Sequence, residues 1–233
     1  MRFSFIIPAL NEEKLIADCI NSIKPQLAKG DEIIVVDNGS RDATPTIAKK
    51  LGCRVIYEKE KGISPARNRG AKEAKGDIIC FVDADGVLSK TWLQKARKHL
   101  SEGSDAIGGI VVYENESLAK RIWYNTYTVL AYSGLFLSKF ILSRAFVPGN
   151  NMAIRKKVFK KIGGFKHITG EDIWFSKELW KLKTKVGFDP KMIIYYSSRG
   201  FDEAGFIRTV AFWIVATLIK KSSKDYDYKH KWY

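Results

Sequence analysis

The stretch Ile79–Leu88, ICFVDADGVL, runs apolar residues of strand character straight into two aspartates, Asp83 and Asp85. On an extended backbone, residues two apart point to the same side. The two carboxylates therefore address one place. Burying an uncompensated charge is costly, so a core strand that ends this way calls for a positive partner. A divalent cation that prefers oxygen, Mg²⁺ or Mn²⁺, is the natural candidate, because such ions bind through one or two carboxylates plus substrate phosphates. The plainer reading of the same residues is an Asp-rich turn that caps the next helix.

Upstream, strand and helix signals alternate. RFSFII (Arg2–Ile7), DEIIVVD (Asp31–Asp37), CRVIYE (Cys53–Glu58) and DIICFVD (Asp77–Asp83) read as strands. NEEKLIADCINSI (Asn11–Ile23), DATPTIAKKLG (Asp42–Gly52) and SPARNRGAKEAKG (Ser64–Gly76) read as helices. Their start signals are Asn11 ahead of two glutamates, Asp42 as an N-cap, and Ser64 with Pro65 at the first helical position. The last two end at Gly52 and Gly76. Such alternation predicts an α/β fold with a mostly parallel central sheet flanked by helices. Ligands bind these sheets beyond the carboxyl ends of the strands, where Pro8, Asp37, Asp83 and Asp85 all fall. Neither GxGxxG nor GxxxxGK[ST] is present, which removes a dinucleotide fingerprint and a P-loop.

Beyond residue 104 the pattern changes. SDAIGGIVVY (Ser104–Tyr113) predicts a strand, and Glu116–Phe146 is long and largely apolar. Its uncharged part, Ile122–Ser138, is diluted by Asn125, Thr126, Thr128, Ser133 and Gly134, whereas a span needs about 20 predominantly apolar residues. Two readings remain. Trp123, Tyr124, Tyr127 and Tyr132, flanked by Lys120, Arg121, Lys139 and Arg144, suit a membrane interface; a buried helical hairpin suits the same residues. Gly205–Lys221 repeats the theme with an uncharged run, Thr209–Ile219, too short to span.

The net charge is +15, with basic clusters at Ile154–Lys161 and Lys220–Tyr233. Such clusters attract anionic lipid or phosphorylated ligands. Nucleic acid is not an expected partner, since Asp37, Asp83 and Asp85 would repel its phosphates without a metal. Cys19, Cys53 and Cys80 are an odd set without metal-ligand spacing, which suits a reducing compartment. With no signal-peptide pattern at the N-terminus, the expected location is cytoplasmic and peripheral on the membrane face.

Two families share parts of this pattern. FVDADGVL (Phe81–Leu88) resembles the first motif of haloacid-dehalogenase-like phosphatases, which would make Asp83 a nucleophile. That motif opens the first core strand, however, and here three strand–helix units precede it. The chain is more broadly similar to family 2 glycosyltransferases of the GT-A fold. FIIPALNEE (Phe5–Glu13), EIIVVDNGSRDAT (Glu32–Thr44), GISPARNRGAKEAKGDIICFVDADGVL (Gly62–Leu88), GNNMAIRKKVFKKIGGF (Gly149–Phe165) and GEDIWFSKELWK (Gly170–Lys181) match that family's segments in order.

The resemblance implies a nucleotide-sugar-binding half at 1–104, an acceptor-side half of the same domain at 105–200, and a C-terminal amphipathic helix with a basic tail at 201–233. It implies that Pro8, Leu10 and Glu12 meet the base and ribose of a UDP-sugar, with Ala84 lining the same site. Asp37 would accept from the uracil N–H, Arg67 would approach the base or diphosphate, and Asp83 would lean to the ribose. Asp85 would ligate Mn²⁺ or Mg²⁺ on the diphosphate. Asp172 would be the general base and Glu171 would orient the acceptor; acids favoured at a helix N-terminus are the ordinary alternative for this pair. Asn150, Asn151, Lys177 and Arg199 would serve the acceptor or diphosphate, with Lys177 or Arg199 standing where the family often has an Arg. Many relatives also place a late His near the metal, and His99, His167 and His230 do not match it. A departing diphosphate needs its charge stabilised, and an attacking hydroxyl needs a base. The acids at 171–172 therefore favour a hydroxyl acceptor, such as a lipid-linked glycan or glycolipid, over a polyprenyl phosphate that is already ionised.

Overall fold

The computed structural model describes residues 1–115, 117–142 and 146–198, with Gly205 and Arg208; for 131–142 it describes the backbone alone. Arg199, His230, the run Thr209–Ile219 and the basic tail lie outside the described residues.

The elements follow the sequence as β1 (Phe3–Ala9), α1 (Ile16–Ile23), β2 (Glu32–Asp37), α2 (Thr44–Lys50), β3 (Arg54–Tyr57), α3 (Ile63–Glu73) and β4 (Ile78–Val82). There follow β5 (Gly86–Leu88), α4 (Trp92–Ser101), β6 (Ala106–Glu114), α5 (Leu118–Leu142), β7 (Asn151–Arg155), α6 (Lys156–Ile162), α7 (Glu171–Lys181) and β8 (Val186–Ser197). Among the described residues one eight-stranded sheet holds all the strands, in the order β3-β2-β1-β4-β7-β6-β8-β5.

Strands β1 to β4 pair in parallel, with Ala9 beside Asp37 and Ile6 beside Phe81. Their carboxyl ends therefore share one edge, as the alternation predicted. The second half is mixed. β6 and β8 are parallel, but β7 runs antiparallel to β4 and β6, and β5 runs antiparallel to β8. The reason is geometric: β6 climbs to the edge where β4 ends, α5 starts there, and β7 re-enters with Asn151 paired to Val82. A strand that starts at that edge descends without a crossover.

Alternate residues fill a core on each face. Phe3, Phe5, Ile7, Val35 and Cys80 meet α1 and Trp92 of α4, while Ile6, Ile34, Val36 and Phe81 lie against α3, α7 and Phe159 of α6. Cys80, inside the apolar run of β4, is a fully buried core residue.

The first helix starts later than the sequence implied. Asn11 is left-handed (φ +58°); its Oδ1 accepts from Arg41 N at 2.8 Å and its N donates to Ser40 Oγ at 3.0 Å. Glu13 Oε2 accepts from Ala43 N at 3.0 Å. The loops after β1 and β2 are laced together in place of a helical turn. The N-cap of α2 is Ala43 rather than Asp42, which lies one residue earlier and accepts from Thr44 N at 3.0 Å; Gly52 follows the helix with φ +78°.

Leu118–Leu142 forms one continuous helix rather than a hairpin, and among the described residues no helix is long and apolar enough to cross a membrane. Asn125 clamps α5 to β6: its Oδ1 accepts from Tyr113 N at 2.9 Å and its Nδ2 donates to Tyr113 O at 2.8 Å. Tyr124 faces inward, with its ring edge-on to Tyr113 at 6.5 Å. Of the two readings left open for these aromatics, Tyr124 follows the buried one.

Helix α3 lies close on β1 and β2 because Gly70 lacks a side chain: a Cβ there would sit 2.3 Å from Ile6 Cγ2 and 3.0 Å from Val36 Cγ2. Gly70→Ala should therefore lose roughly 1–3 kcal/mol by overpacking. At about 2–4 °C per kcal/mol for this size, a thermal melt should fall by roughly 2–12 °C. An unchanged or raised melting temperature would contradict the packing.

Candidate functional site

The site is organised around a buried cation. Arg67 sits on α3, just past Gly62 (φ +130°), and is only 2% exposed. Its Nη2 donates to Asp83 Oδ1 at 2.8 Å and its Nη1 to Glu171 Oε1 at 2.8 Å. The guanidinium carbon lies 5.4 Å from the centre of the Phe165 ring. One side chain thus ties the end of β4 to the start of α7. Gly149 lets the chain pass: a Cβ there would sit 2.9 Å from Arg67 Nη1 and 3.3 Å from Asp172 Cβ.

Glu171 and Asp172 open α7 behind the left-handed Gly170 (φ +73°). Asp172 Oδ1 accepts from Ile173 N at 2.8 Å. Burial, reinforced by neighbouring Asp172, pushes Glu171 up to about 7, even with the Arg67 charge pulling it back. Burial also raises Asp172 above the ordinary carboxylate range, while Arg67 opposes the rise. Adjacent acids in this state titrate as a pair and are suited to proton transfer near neutrality. Strongly perturbed groups of this kind mark functional sites.

Across the crevice, Asp83 and Asp85 follow β4, and Gly86 N donates to Asp83 O at 3.0 Å in the turn to β5. Below them lie Cys19, Tyr113 and Tyr196. Burial raises the pKa of all three, and both aspartates raise it further. The negative field of the pair therefore reaches its neighbours. Among the described residues no group of three His, Cys, Asp or Glu could hold a metal by itself. The donor set instead fits an oxygen-seeking divalent ion bound by one or two carboxylates and completed by ligand oxygens.

Apart from Arg67, the residues that the resemblance assigned to the nucleotide sugar lie at or just past the ends of β1, β2 and β4. Pro8 pairs with Val36 in the sheet, and Leu10 follows it half-buried. Glu12 is buried, its N donating to Thr44 Oγ1 at 2.7 Å. Asp37 is buried and its Oδ1 accepts from Ser40 N at 3.0 Å. Ala84 is buried between the two aspartates.

Asn38 escaped the sequence reading. Its Nδ2 donates to the carbonyls of Glu58 (2.9 Å) and Glu60 (2.8 Å), its Oδ1 accepts from Gly62 N (2.9 Å), and its own carbonyl accepts from Lys61 Nζ. It shapes the loop that leads into α3 and so sets Arg67. An Asn directly after a strand-ending Asp was its only signal.

Other expected residues are placed elsewhere. Asn151 is fully buried: its Oδ1 accepts from Trp92 Nε1 at 2.7 Å, and its Nδ2 donates to the carbonyls of Ile110 (2.9 Å) and Met192 (3.1 Å). It bonds three strands and a helix within the core and does not reach the crevice. Asn150 is half-buried, and its carbonyl accepts from Tyr196 Oη at 3.3 Å. Lys177 is exposed on α7, six residues and so about 9 Å along the axis from Glu171, outside the cluster. His99 pairs with Asp189 and His167 with Glu60 rather than with Asp83 or Asp85.

An α/β sheet with acids from the ends of β2 and β4 gathered at one edge is the architecture of a ligand-binding crevice. Residues 4–163 match Glycosyl transferase family 2, and the chain belongs to that family. Among curated relatives it is 29% identical to Glycosyltransferase AglE of Haloferax volcanii, over 86% of this chain and 68% of AglE. It is 26% identical to Glycosyltransferase GlyA of Streptococcus pneumoniae, over 85% of this chain but only 31% of GlyA.

Among solved structures, S. aureus TarS 1–349 in complex with UDP-GlcNAc aligns with TM-score 0.66 and 23% identity, covering 92% of this chain and 67% of that one. The mannosyltransferase PcManGT of Pyrobaculum calidifontis, in complex with GDP-Man and Mn²⁺, aligns with TM-score 0.64 and 20% identity, over 92% and 64%. The fold is therefore GT-A, and the phosphatase reading of Asp83 falls with the family assignment.

Replacing Arg67 with Met should leave Asp83 and Glu171 facing each other without their shared cation. Removing one partner of a buried pair costs about 3–5 kcal/mol, and partial exposure of the acids favours the low end. At neutral pH the melt should drop by roughly 6–12 °C. Without the Arg67 charge the already raised pKa values of Glu171 and Asp172 would climb further above their unfolded ones, so the folded state binds more protons. Stability should recover as pH falls from about 7 toward 5. A loss independent of pH would contradict the assignment.

Proposed function

We propose that the chain transfers a sugar from a nucleoside-diphosphate sugar, UDP-linked, to a hydroxyl of an acceptor, with inversion at the anomeric carbon. The observation that carries this reading is the Arg67 bridge, which joins the nucleotide-side Asp83 to the acid pair at 171–172. TarS and PcManGT bind nucleotide sugars in the same fold, one a UDP-sugar and the other a GDP-sugar with Mn²⁺. Glucosyl-3-phosphoglycerate synthase from Mycobacterium tuberculosis, at TM-score 0.63, is complexed with Mn²⁺ and UDP-glucose.

Pro8, Leu10, Glu12 and Asp37 form the wall for base and ribose, with Asp37 accepting from the base and Asp83 from the ribose. Asp85 would hold Mn²⁺ or Mg²⁺, which when bound neutralises charge on the departing diphosphate. Arg67 keeps Asp83 and Glu171 in register. Glu171 orients the acceptor hydroxyl and Asp172 takes its proton. The acceptor oxygen then bonds to the anomeric carbon as the bond from that carbon to the diphosphate oxygen breaks, and the nucleoside diphosphate leaves with the electron pair. Since a base is present, the acceptor is a hydroxyl, carried by a lipid-linked glycan or glycolipid presented at an anionic membrane surface. A polyprenyl phosphate acceptor is the second reading, because its ionised oxygen would make Asp172 dispensable.

Thermal shift with UDP, GDP and CDP, each with and without Mn²⁺, tests the donor site. Saturation at about 100 times the dissociation constant adds roughly 2.7 kcal/mol, a rise of about 5–10 °C. UDP should require Mn²⁺, and Asp85→Ala should abolish the shift; a metal-independent shift that survives Asp85→Ala would refute the metal role. Asp172→Asn should keep the UDP shift and lose roughly 10²–10⁴ in transfer rate. Because the base must be ionised, wild-type rate should rise with pH through the raised pKa of the acid pair. A flat profile with an active Asp172→Asn would favour the phosphate acceptor.

A further inference from the structure

Helix α5 is inverted relative to an ordinary surface helix. Among the described residues, eight large hydrophobics are exposed, and five of them lie on α5: Leu118 (59%), Ile122 (58%), Trp123 (59%), Val129 (60%) and Leu130 (68%). The helix buries Tyr124 and Thr128 instead, at 5% and 4%. Projected at about 100° per residue, the five exposed residues occupy one arc of about 140°, centred opposite Tyr124 and Thr128. The stripe therefore points directly away from the protein. Its orientation is fixed by the two hydrogen bonds between Asn125 and Tyr113. Contiguous exposed apolar surface of this kind marks an interaction site.

Charge selects the occupant. Residues 117–142 contain Lys120, Arg121 and Lys139 and no acid, in a chain of net charge +15. Lys120 and Arg121 are exposed beside the stripe. A second copy would bring cations against cations. So would this chain's own segment at 205–221, which carries Arg208, Lys220 and Lys221 and no acid. A surface with an apolar interior and anionic headgroups satisfies both the stripe and its cations.

We propose that the outward face of α5 is a bilayer-docking surface that lies in an anionic leaflet with Ile122, Trp123, Val129 and Leu130 below the headgroups. This deepens the transferase reading, on which its meaning rests, by fixing how the crevice meets a lipid-linked acceptor. α5 starts where β6 ends, on the sheet edge that carries Asp83. Tyr113 on β6 lies 6.3 Å from Tyr196, whose ionisation both aspartates suppress, and 6.5 Å from Tyr124 on α5. The docking face and the crevice are thus joined by one line of packed rings.

The test is flotation of the full chain with vesicles of phosphatidylglycerol and phosphatidylcholine, with pure phosphatidylcholine as reference, alongside Trp123 fluorescence (Trp123→Phe subtracted) and quenching by brominated lipid. Binding to the anionic vesicles, a blue shift and quenching of Trp123, and weakening by salt are expected. Ile122→Ser with Leu130→Ser should reduce partitioning by roughly tenfold per residue with an unchanged melting temperature. Lys120→Gln with Arg121→Gln should reduce it several-fold on anionic vesicles only.

Absence of binding, or unimpaired binding by the double Ser variant, would overturn the proposal. So would a Trp123 already blue-shifted without lipid, or loss of a dimer in the double Ser variant by sedimentation, since either would mean a protein segment covers the stripe. No nucleotide or sugar enters the assay, so failure of the transferase reading would show separately in the UDP–Mn²⁺ shift.

Discussion

A guanidinium at 2% exposure must be surrounded by acceptors, and the geometry of this fold follows from meeting that demand at Arg67. Two carboxylates supply it, Asp83 and Glu171, 16 and 104 residues away along the chain. For both to reach one side chain, β4 must stop where α7 begins and α3 must lie flat on the sheet. Gly70 makes the second possible and Gly149 leaves room for the crossing strand. Phe165 closes the remaining side, packed in turn on Phe175 at 4.6 Å.

The same constraint organises the electrostatics. Arg67 carries one positive charge against several acids around the crevice, so the acids are only partly compensated. On the α7 side, the surplus appears as carboxylates held above their ordinary range. On the β4 side it appears as a negative field felt by Cys19, Tyr113 and Tyr196. The first arrangement suits proton acceptance near neutrality, and the second suits a cation that arrives with its own oxygens. The two halves of the proposed chemistry are thus two consequences of placing one arginine among more than one carboxylate.

Much of this was legible in sequence where the signal is local. The parallel half of the sheet and the positions of Asp37, Asp83 and Asp85 at its edge follow from period, turn residues and strand ends, and the acids opening α7 match the helix-start alternative given for Glu171 and Asp172. What stayed hidden depends on distant pairing. Nothing near Asn151 says that its amide will bond Trp92 and two remote carbonyls, and an Asn in a presumed acceptor segment reads as polar and available. Asn11 looked like a helix cap because its partners, Ser40 and Arg41, belong to another loop. Aromatic enrichment marked Trp123 and Tyr124 alike, but adjacent helical positions are about 100° apart and the structure sends them to opposite surroundings. The direction of β7, a strand the sequence did not mark, follows from the path of α5, which returns the chain at the edge where β4 ends.

The most direct measurement is a double-mutant cycle in stability with Asp83→Asn, Glu171→Gln and the pair together. If one buried guanidinium joins the two carboxylates, the effects couple through it, and the double variant should depart from the sum of the singles by about 1 kcal/mol or more. Additivity within about 0.5 kcal/mol, the behaviour of independent sites, would contradict the claim that Arg67 binds the two halves of the crevice into one site.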